Sequence, residues 1–155
     1  MIASELMDTD APTLSPDDSI QRAAELLTTY EHSNLPVLDE DGSVIGSLGE
    51  YDLLALTLPT SATDVSRLSY LPRCYGLRDL SDEDLQDLTV HDIMRTEDYV
   101  TIEEDDLAAQ AALLIMRQHQ PQVFVTSRGK YVGRLCRKII INELVNPTLG
   151  VACHP

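Results

Sequence analysis

The sequence predicts a mixed α/β (α+β) fold. It is expected to hold two copies of one unit, strand–helix–strand–strand–helix, packed sheet to sheet about a pseudo-two-fold axis. Three observations carry this. Glu5-Leu6-Met7 and Asp92-Ile93-Met94 match with their methionines 87 residues apart, and Gly46 of Val44-Ile45-Gly46 stands 87 before Gly133 of Tyr131-Val132-Gly133. Between these anchors Ile20, Ala24 and Leu27 fall opposite Leu107, Ala111 and Leu114, and His32 opposite His119, at the same offset. Each copy then shows helical periodicity followed by two short apolar runs around a turn cluster, the pattern of a helix and a hairpin.

The elements follow in order. Ala11 to Ser15 reads as a short extended piece, and Tyr99 to Ile102 as its counterpart. A helix begins near Asp18, a good N-cap, with Gln21 completing a capping-box pattern. Ile20, Ala23, Ala24 and Leu27 then fall at i, i+3, i+4 and i+7 and give it one apolar face. In the second copy Asp105 or Asp106 caps a helix carrying Leu107, Ala111, Leu114 and Ile115. Leu35 to Leu38 and Val44 to Leu48 flank Glu40-Asp41-Gly42-Ser43, whose Asp-Gly step suits positive φ. Val123 to Val125 and Tyr131 to Leu135 flank Ser127-Arg128-Gly129-Lys130. Glu50 to Leu58 and Arg137 to Val145 close the copies as helices. The expected organisation is therefore residues 1–58 as the first copy, 59–89 as a linker, 90–146 as the second copy and 147–155 as a tail. Ser81 to Leu88, with a Ser-x-x-Asp cap, predicts a short helix in the linker, which is expected to drape over the surface or add a dimer contact.

Composition excludes several classes. The chain has 155 residues, 26 acids against 11 bases and a formal charge of −15, so phosphate-rich nucleic acid is a poor partner. Asp (16) exceeds Glu (10) and only Lys130 and Lys138 are lysines, a balance that suits both a saline cytoplasm and an ordinary acidic protein. No apolar stretch approaches the ~18–20 residues of a membrane span. Met1 to Asp10 lacks the layout of a secretion signal, so a soluble, cytoplasmic protein is expected. Cys74, Cys136 and Cys153 form no Cys-x-x-Cys, and Cys153-His154 offers too few ligands for a metal site. There is no P-loop, nucleophile elbow, His-Glu-x-x-His or Gly-x-Gly-x-x-Gly, so no enzyme is expected. His32 and His119 read as cations at helix ends. Cys136 reads as a small packing residue or a reactive thiol beside Arg134, Arg137 and Lys138.

The opening Glu5-Leu6-Met7 and Val90-His91-Asp92-Ile93-Met94, the run Leu35-Pro36-Val37-Leu38-Asp39 with Asp41-Gly42, and Val44-Ile45-Gly46 leading to Tyr51-Asp52-Leu53-Leu54 resemble a tandem pair of CBS domains, the cystathionine β-synthase repeat. The resemblance covers about Ile2 to Leu58 and Val90 to Val145. It implies a regulatory module that dimerises as a flat disc and binds an adenosyl ligand between the repeats. In the family's Gly-x-x-Thr/Ser-x-x-Asp motif the hydroxyl and a helix N-terminus meet phosphate, and the Asp accepts both ribose hydroxyls.

Both copies depart from that motif. The first keeps Gly46 and Asp52 but places Gly49 at the hydroxyl position, where the backbone can approach a ligand closely. The second keeps Gly133 but has Cys136 and Ile139 at the other two positions, and an apolar side chain cannot hold a ribose. The resemblance further implies ligand contacts for Thr13 and for Leu35, Pro36 and Val37, which would sandwich adenine; their second-copy matches are Val100 or Thr101 and Gln122, Val123 and Phe124. Residues 1–58 carry a net −11 and residues 90–155 only −1, and Arg128, Lys130, Arg134, Arg137 and Lys138 are read as one basic patch. That patch would meet phosphate through Arg134, Arg137 or Lys138, meet an acidic protein surface, or simply face solvent. The leading expectation is a stand-alone regulatory pair sensing AMP, adenosine or S-adenosylmethionine, rather than ATP, once per chain at the first repeat. The alternative is a ligand-free homodimerisation or protein-interaction module. Neither expectation names the regulated protein.

A charge of −15 on so small a chain is self-repulsive. The screening length falls from about 30 Å at 0.01 M salt to about 3 Å at 1 M. The melting temperature is therefore expected to rise across that range in sodium chloride, and a flat or falling scan would count against electrostatic self-repulsion.

Overall fold

The computed structural model describes residues 1–30, 34–58 and 81–147. The helices are α1 (Ala3–Leu6), α2 (Ile20–Thr29), α3 (Glu50–Ala55), α4 (Asp82–Asp87), α5 (Val90–Ile93), α6 (Ala108–Gln118) and α7 (Arg137–Val145). The strands are β1 (Asn34–Leu38), β2 (Val44–Gly49), β3 (Thr101–Glu103), β4 (Gln122–Ser127) and β5 (Lys130–Cys136). β1 and β2 form an antiparallel hairpin, while β3 runs parallel to β4, which pairs antiparallel with β5. The two hairpins touch at both ends. The Tyr131 N–H donates to the Gly42 carbonyl (2.9 Å) at the turns, and Gln122 Nε2 donates to the Asn34 carbonyl (2.6 Å) at the open ends. Ser81 caps α4, accepting from the Asp84 N–H at 3.1 Å, as its Ser-x-x-Asp pattern predicts. Expectations for His32, Cys74, Cys153 and His154 fall outside the described residues.

The duplication is real, but its offset is not constant. Ala3 matches Val90, and Met7 matches Met94, at 87. Leu14, Ala23, Leu27 and Val37 match Ile102, Ala111, Ile115 and Val125 at 88. The second copy has one more residue before its first strand and one fewer in its hairpin turn, so the register returns to 87 at Gly46 and Gly133. The buried helix faces are accordingly Ile20, Ala23 and Leu27 against Ala108, Ala111 and Ile115. This corrects the equivalence of Ala24 with Ala111, and of Leu27 with Leu114. The caps move by the same step. Ser19 Oγ, not Asp18, accepts from the Arg22 N–H at the start of α2 (3.1 Å). Asp18 instead accepts from the Ser15 N–H (2.8 Å), and Asp106 from the Glu103 N–H (2.9 Å), closing the turn that precedes each helix.

The copies differ where proline removes donors. In the second copy the Phe124 N–H donates to the Val100 carbonyl (2.9 Å) and the Glu104 N–H to Thr126 (2.8 Å), bracketing β3. Pro36 and Pro16 hold those places in the first copy and have no N–H to give. The piece Ala11 to Ser15 is therefore joined to β1 by one bridge, with Leu14 N–H to Pro36 O at 2.9 Å and Leu38 N–H to Leu14 O at 2.8 Å.

The copies also exchange their opening helices. α1 completes the second core, where Ala3 is buried with Ile102, Ala111, Ile115, Val123, Val125 and Leu135. α5 completes the first, where Val90 is buried with Leu14, Ala23, Leu27, Leu35, Val37 and Leu48. Backbone bonds repeat the exchange: Asp8 and Arg134 trade N–H and carbonyl at 2.9 and 3.0 Å, as Arg95 and Ser47 do at 2.8 and 2.9 Å. Each crossing is closed by a methionine lying on a glycine. A Cβ on Gly46 would stand 2.9 Å from both Met94 Sδ and the Arg95 carbonyl, and one on Gly133 would stand 2.9 Å from both Met7 Sδ and the Asp8 carbonyl. The carbonyl belongs to bridged backbone and cannot retreat. Gly46→Ala and Gly133→Ala are each expected to cost about 1–3 kcal/mol, read as a lowered urea midpoint; wild-type midpoints in both variants would show that the crossings have slack.

Candidate ligand-binding site

β2 runs into α3 through Gly49, where the motif places a hydroxyl. Gly49 has φ −127°, extended backbone open to any residue, so its conformation does not require glycine. Asp52 Oδ2 accepts from the Gly49 N–H at 2.8 Å, as Asp92 does from the Thr89 N–H at the start of α5. Asp52 Oδ1 accepts from Arg95 Nε at 2.7 Å. The Asp52 side chain is 12% exposed and that of Arg95 50%. The hydrogen bond it donates to Asp52 holds the Arg95 guanidinium above its usual range, with Coulomb attraction to Asp52 and Asp98 adding to it.

Around this pair opens a cleft of about 620 Å³ between the copies. Asn34, Glu50, Tyr51 and Asp52 line it from the first copy, and Arg95, Met116, His119 and Arg137 are among the residues lining it from the second. Two carboxylates and two guanidiniums thus face one cavity in a strongly acidic chain. Of the expected site residues, Asp52 and Arg137 meet here.

The others lie elsewhere. Leu35, Pro36 and Val37 are buried, and Gly46 is pressed under Met94. Thr13 is half-buried beside Leu14, and Lys138 is exposed on α7. The phosphate-facing expectation for Arg134 is corrected. It is 8% exposed, with Nε and Nη2 each 3.2 Å from Asp8 Oδ2 and Nη1 2.8 Å from Gln122 Oε1. A guanidinium committed on three of its donors is not available to a ligand. Nor do the basic residues form one patch. Arg128 and Lys130 sit at the turn end of β5 and Arg137 and Lys138 beyond its other end, roughly 20 Å apart for a strand of this length.

The second copy has no carboxylate at the Asp52 position. Ile139 packs against the second core, and Cys136 is the half-buried N-cap of α7. The Phe124 ring lies 6.1 Å, centroid to centroid, from a tilted Tyr99 and from an edge-on Tyr131, where the first copy carries Ala11, Pro36 and Val44. The Tyr131 hydroxyl is buried without a hydrogen-bond partner among the described residues, and burial pushes its pKa up to about 12. Arg95 is the site residue that sequence reasoning missed. It lies 43 residues from Asp52, and only the exchange of opening segments brings the two together.

Among the described residues no helix is long and apolar enough to cross a membrane. The chain is 26% identical over 137 residues to CBSX1, a chloroplastic CBS domain-containing protein of Arabidopsis thaliana, a match that covers 85% of this chain and 58% of CBSX1. It thus spans a little over half the length of that relative. Among solved structures, a CBS domain-containing protein from Kribbella flavida superposes with a TM-score of 0.75 at 21% identity, covering 95% of this chain and 99% of that one. CBSX2, crystallised in complex with AMP, superposes with a TM-score of 0.68 at 22% identity, covering 93% of this chain and 96% of that one. The CBS-domain profile matches residues 3–58 and 90–146, the two copies whose opening helices are exchanged. The chain therefore belongs to the CBS-domain family, as two repeats in one polypeptide.

Proposed function

We propose that this CBS pair is a regulatory rather than catalytic module that binds one adenosyl nucleotide per chain in the cleft around Asp52. The observation that carries the reading is the meeting of Asp52 with Arg95 and Arg137 in a single cavity between the repeats. Asp52 would accept the ribose hydroxyls and Arg137 would meet the phosphate, with adenine held by the rest of the cleft lining rather than by the expected Leu35, Pro36 and Val37, which are buried, or by Thr13, which lies outside it. The AMP complex of CBSX2 supports the same ligand class. The second repeat supplies no carboxylate, since Ile139 stands at that position. Of the expected ligands, AMP fits the two guanidiniums better than adenosine or S-adenosylmethionine, and Gly49 offers no hydroxyl for the longer phosphate chain of ATP.

At ligand about 100-fold above Kd, binding stabilises by roughly 2.7 kcal/mol. At about 2–4 °C per kcal/mol for this size, the melt is expected to rise by roughly 5–11 °C. Asp52→Ala is expected to remove most of that shift. Ile139→Ala lowers the starting melt, because Ile139 packs against the core, yet keeps the shift. Equal losses of the shift in both variants, or no shift with any adenosyl compound, would favour the ligand-free interaction module.

A homodimer is part of the proposal. α7 exposes Ile141 (58%), Leu144 (82%) and Val145 (69%), and α6 exposes Met116 (73%), an apolar surface unusual for a free monomer. Light scattering is expected to give twice the chain mass of 17.2 kDa, and Leu144→Asp to return it toward the monomer. A wild-type monomer at micromolar concentration would contradict the dimer.

A further inference from the structure

We infer that Arg95 is a latch on Asp52: a ribose displaces its guanidinium, which then turns to the ligand's phosphate, so the cleft selects phosphorylated adenosyl ligands. This rests on the proposed nucleotide site and says how that site is regulated and what it prefers. Asp52 has two oxygens. Oδ2 is held from within by the Gly49 N–H at 2.8 Å, and Oδ1 is covered by Arg95 Nε at 2.7 Å. A carboxylate oxygen can accept more than one hydrogen bond, so the bond to Gly49 survives ligand binding. The guanidinium is what stands in the ribose's way, because it covers a carboxylate that is itself only 12% exposed.

The latch is built to move alone. Arg95 N–H donates to the Ser47 carbonyl at 2.8 Å and its carbonyl accepts from the Ser47 N–H at 2.9 Å, so the backbone stays while the side chain, half exposed, can rotate. Its equivalent in the other crossing is Asp8, whose partner Arg134 is buried and held by three hydrogen bonds. That crossing is a fixed strut, and only this one has a mobile partner.

Charge then sets the preference. Unliganded, Arg95 neutralises Asp52. Once neutral hydroxyls replace it, an extra cation stands free in a cleft that already holds Arg137. AMP brings the anion that compensates it, adenosine brings none, and the sulfonium of S-adenosylmethionine adds another positive charge. Glu50 lines the same cleft and Asp98 acts on Arg95, so these are the competing acceptors for the released guanidinium.

The test is calorimetric titration of the whole chain and of Arg95→Ala with adenosine and AMP, beside urea unfolding of the Asp52→Ala/Arg95→Ala cycle. Wild type is expected to prefer AMP by about ten-fold or more, the weight of a charged hydrogen bond. Arg95→Ala is expected to bind adenosine about two- to five-fold tighter, since a part-exposed ion pair no longer competes. It is expected to bind AMP about ten-fold more weakly or worse, so the preference collapses. If Arg95→Ala shifts both ligands by the same factor, or wild type does not discriminate, Arg95 is no latch although the site stands. If neither ligand binds wild type or variant, the nucleotide site itself is wrong, and any coupling seen in the unfolding cycle marks Asp52–Arg95 as a structural pair only, which overturns the inference as well.

Discussion

The fold depends on a reciprocal exchange: each repeat closes its hydrophobic core with the other repeat's opening helix. A helix and a small sheet of this size bury too little apolar surface to stand alone. Ala3 and Val90 are both fully buried, each in the core of the copy to which it does not belong in sequence. The glycines at the crossings follow from this. Gly46 and Gly133 are kept bare because a methionine and a carbonyl from the opposite repeat occupy the space a side chain would need. Cutting the chain between the copies would therefore yield two halves each missing part of its core, not two domains.

The same crossing builds the site. Asp52 and Arg95 come from different repeats and meet only because the segment after α5 runs beneath the first hairpin. The pseudo-symmetry is kept in the backbone and broken in the side chains. Arg134 is buried and held by three hydrogen bonds to Asp8 and Gln122, whereas Arg95, half exposed, meets Asp52 at the edge of a cleft. The aromatic trio and Ile139 belong to the second copy, while Ala11, Pro36, Val44 and Asp52 stand at the equivalent places in the first. Duplication supplied two equivalent positions, and one now carries an isoleucine packed on the core and the other a carboxylate lining a cleft.

Much of this was legible in the sequence, for physical reasons. The apolar stripe of α2, the Asp-Gly turn and the extent of α7 are local signals, and they emerged as read, whereas α6 buries Ala108, Ala111 and Ile115 and leaves Leu107 exposed at its N-cap. The cap of α2 did not, because Asp18 and Ser19 are both good N-caps and the preceding turn, which claims Asp18, decides between them. The register of the repeat was hidden by an insertion and a deletion that cancel. The single basic patch failed because proximity in sequence along β5 is distance in space. Arg95 had no local signal: its partner is set by which hairpin its segment crosses.

Proline gives the first repeat a different mechanical character from the second. Pro16 and Pro36 delete two rungs, and the piece carrying Thr13 hangs on the amides of Leu14 and Leu38. What holds that stretch in place is therefore the buried Leu14 side chain, packed with Val37 and Leu48 in the first core, as much as its two backbone bonds. In the second repeat, where β3 pairs with β4 over three residues, the backbone does that holding. The repeat that keeps its carboxylate thus depends on one leucine where the other depends on a strand.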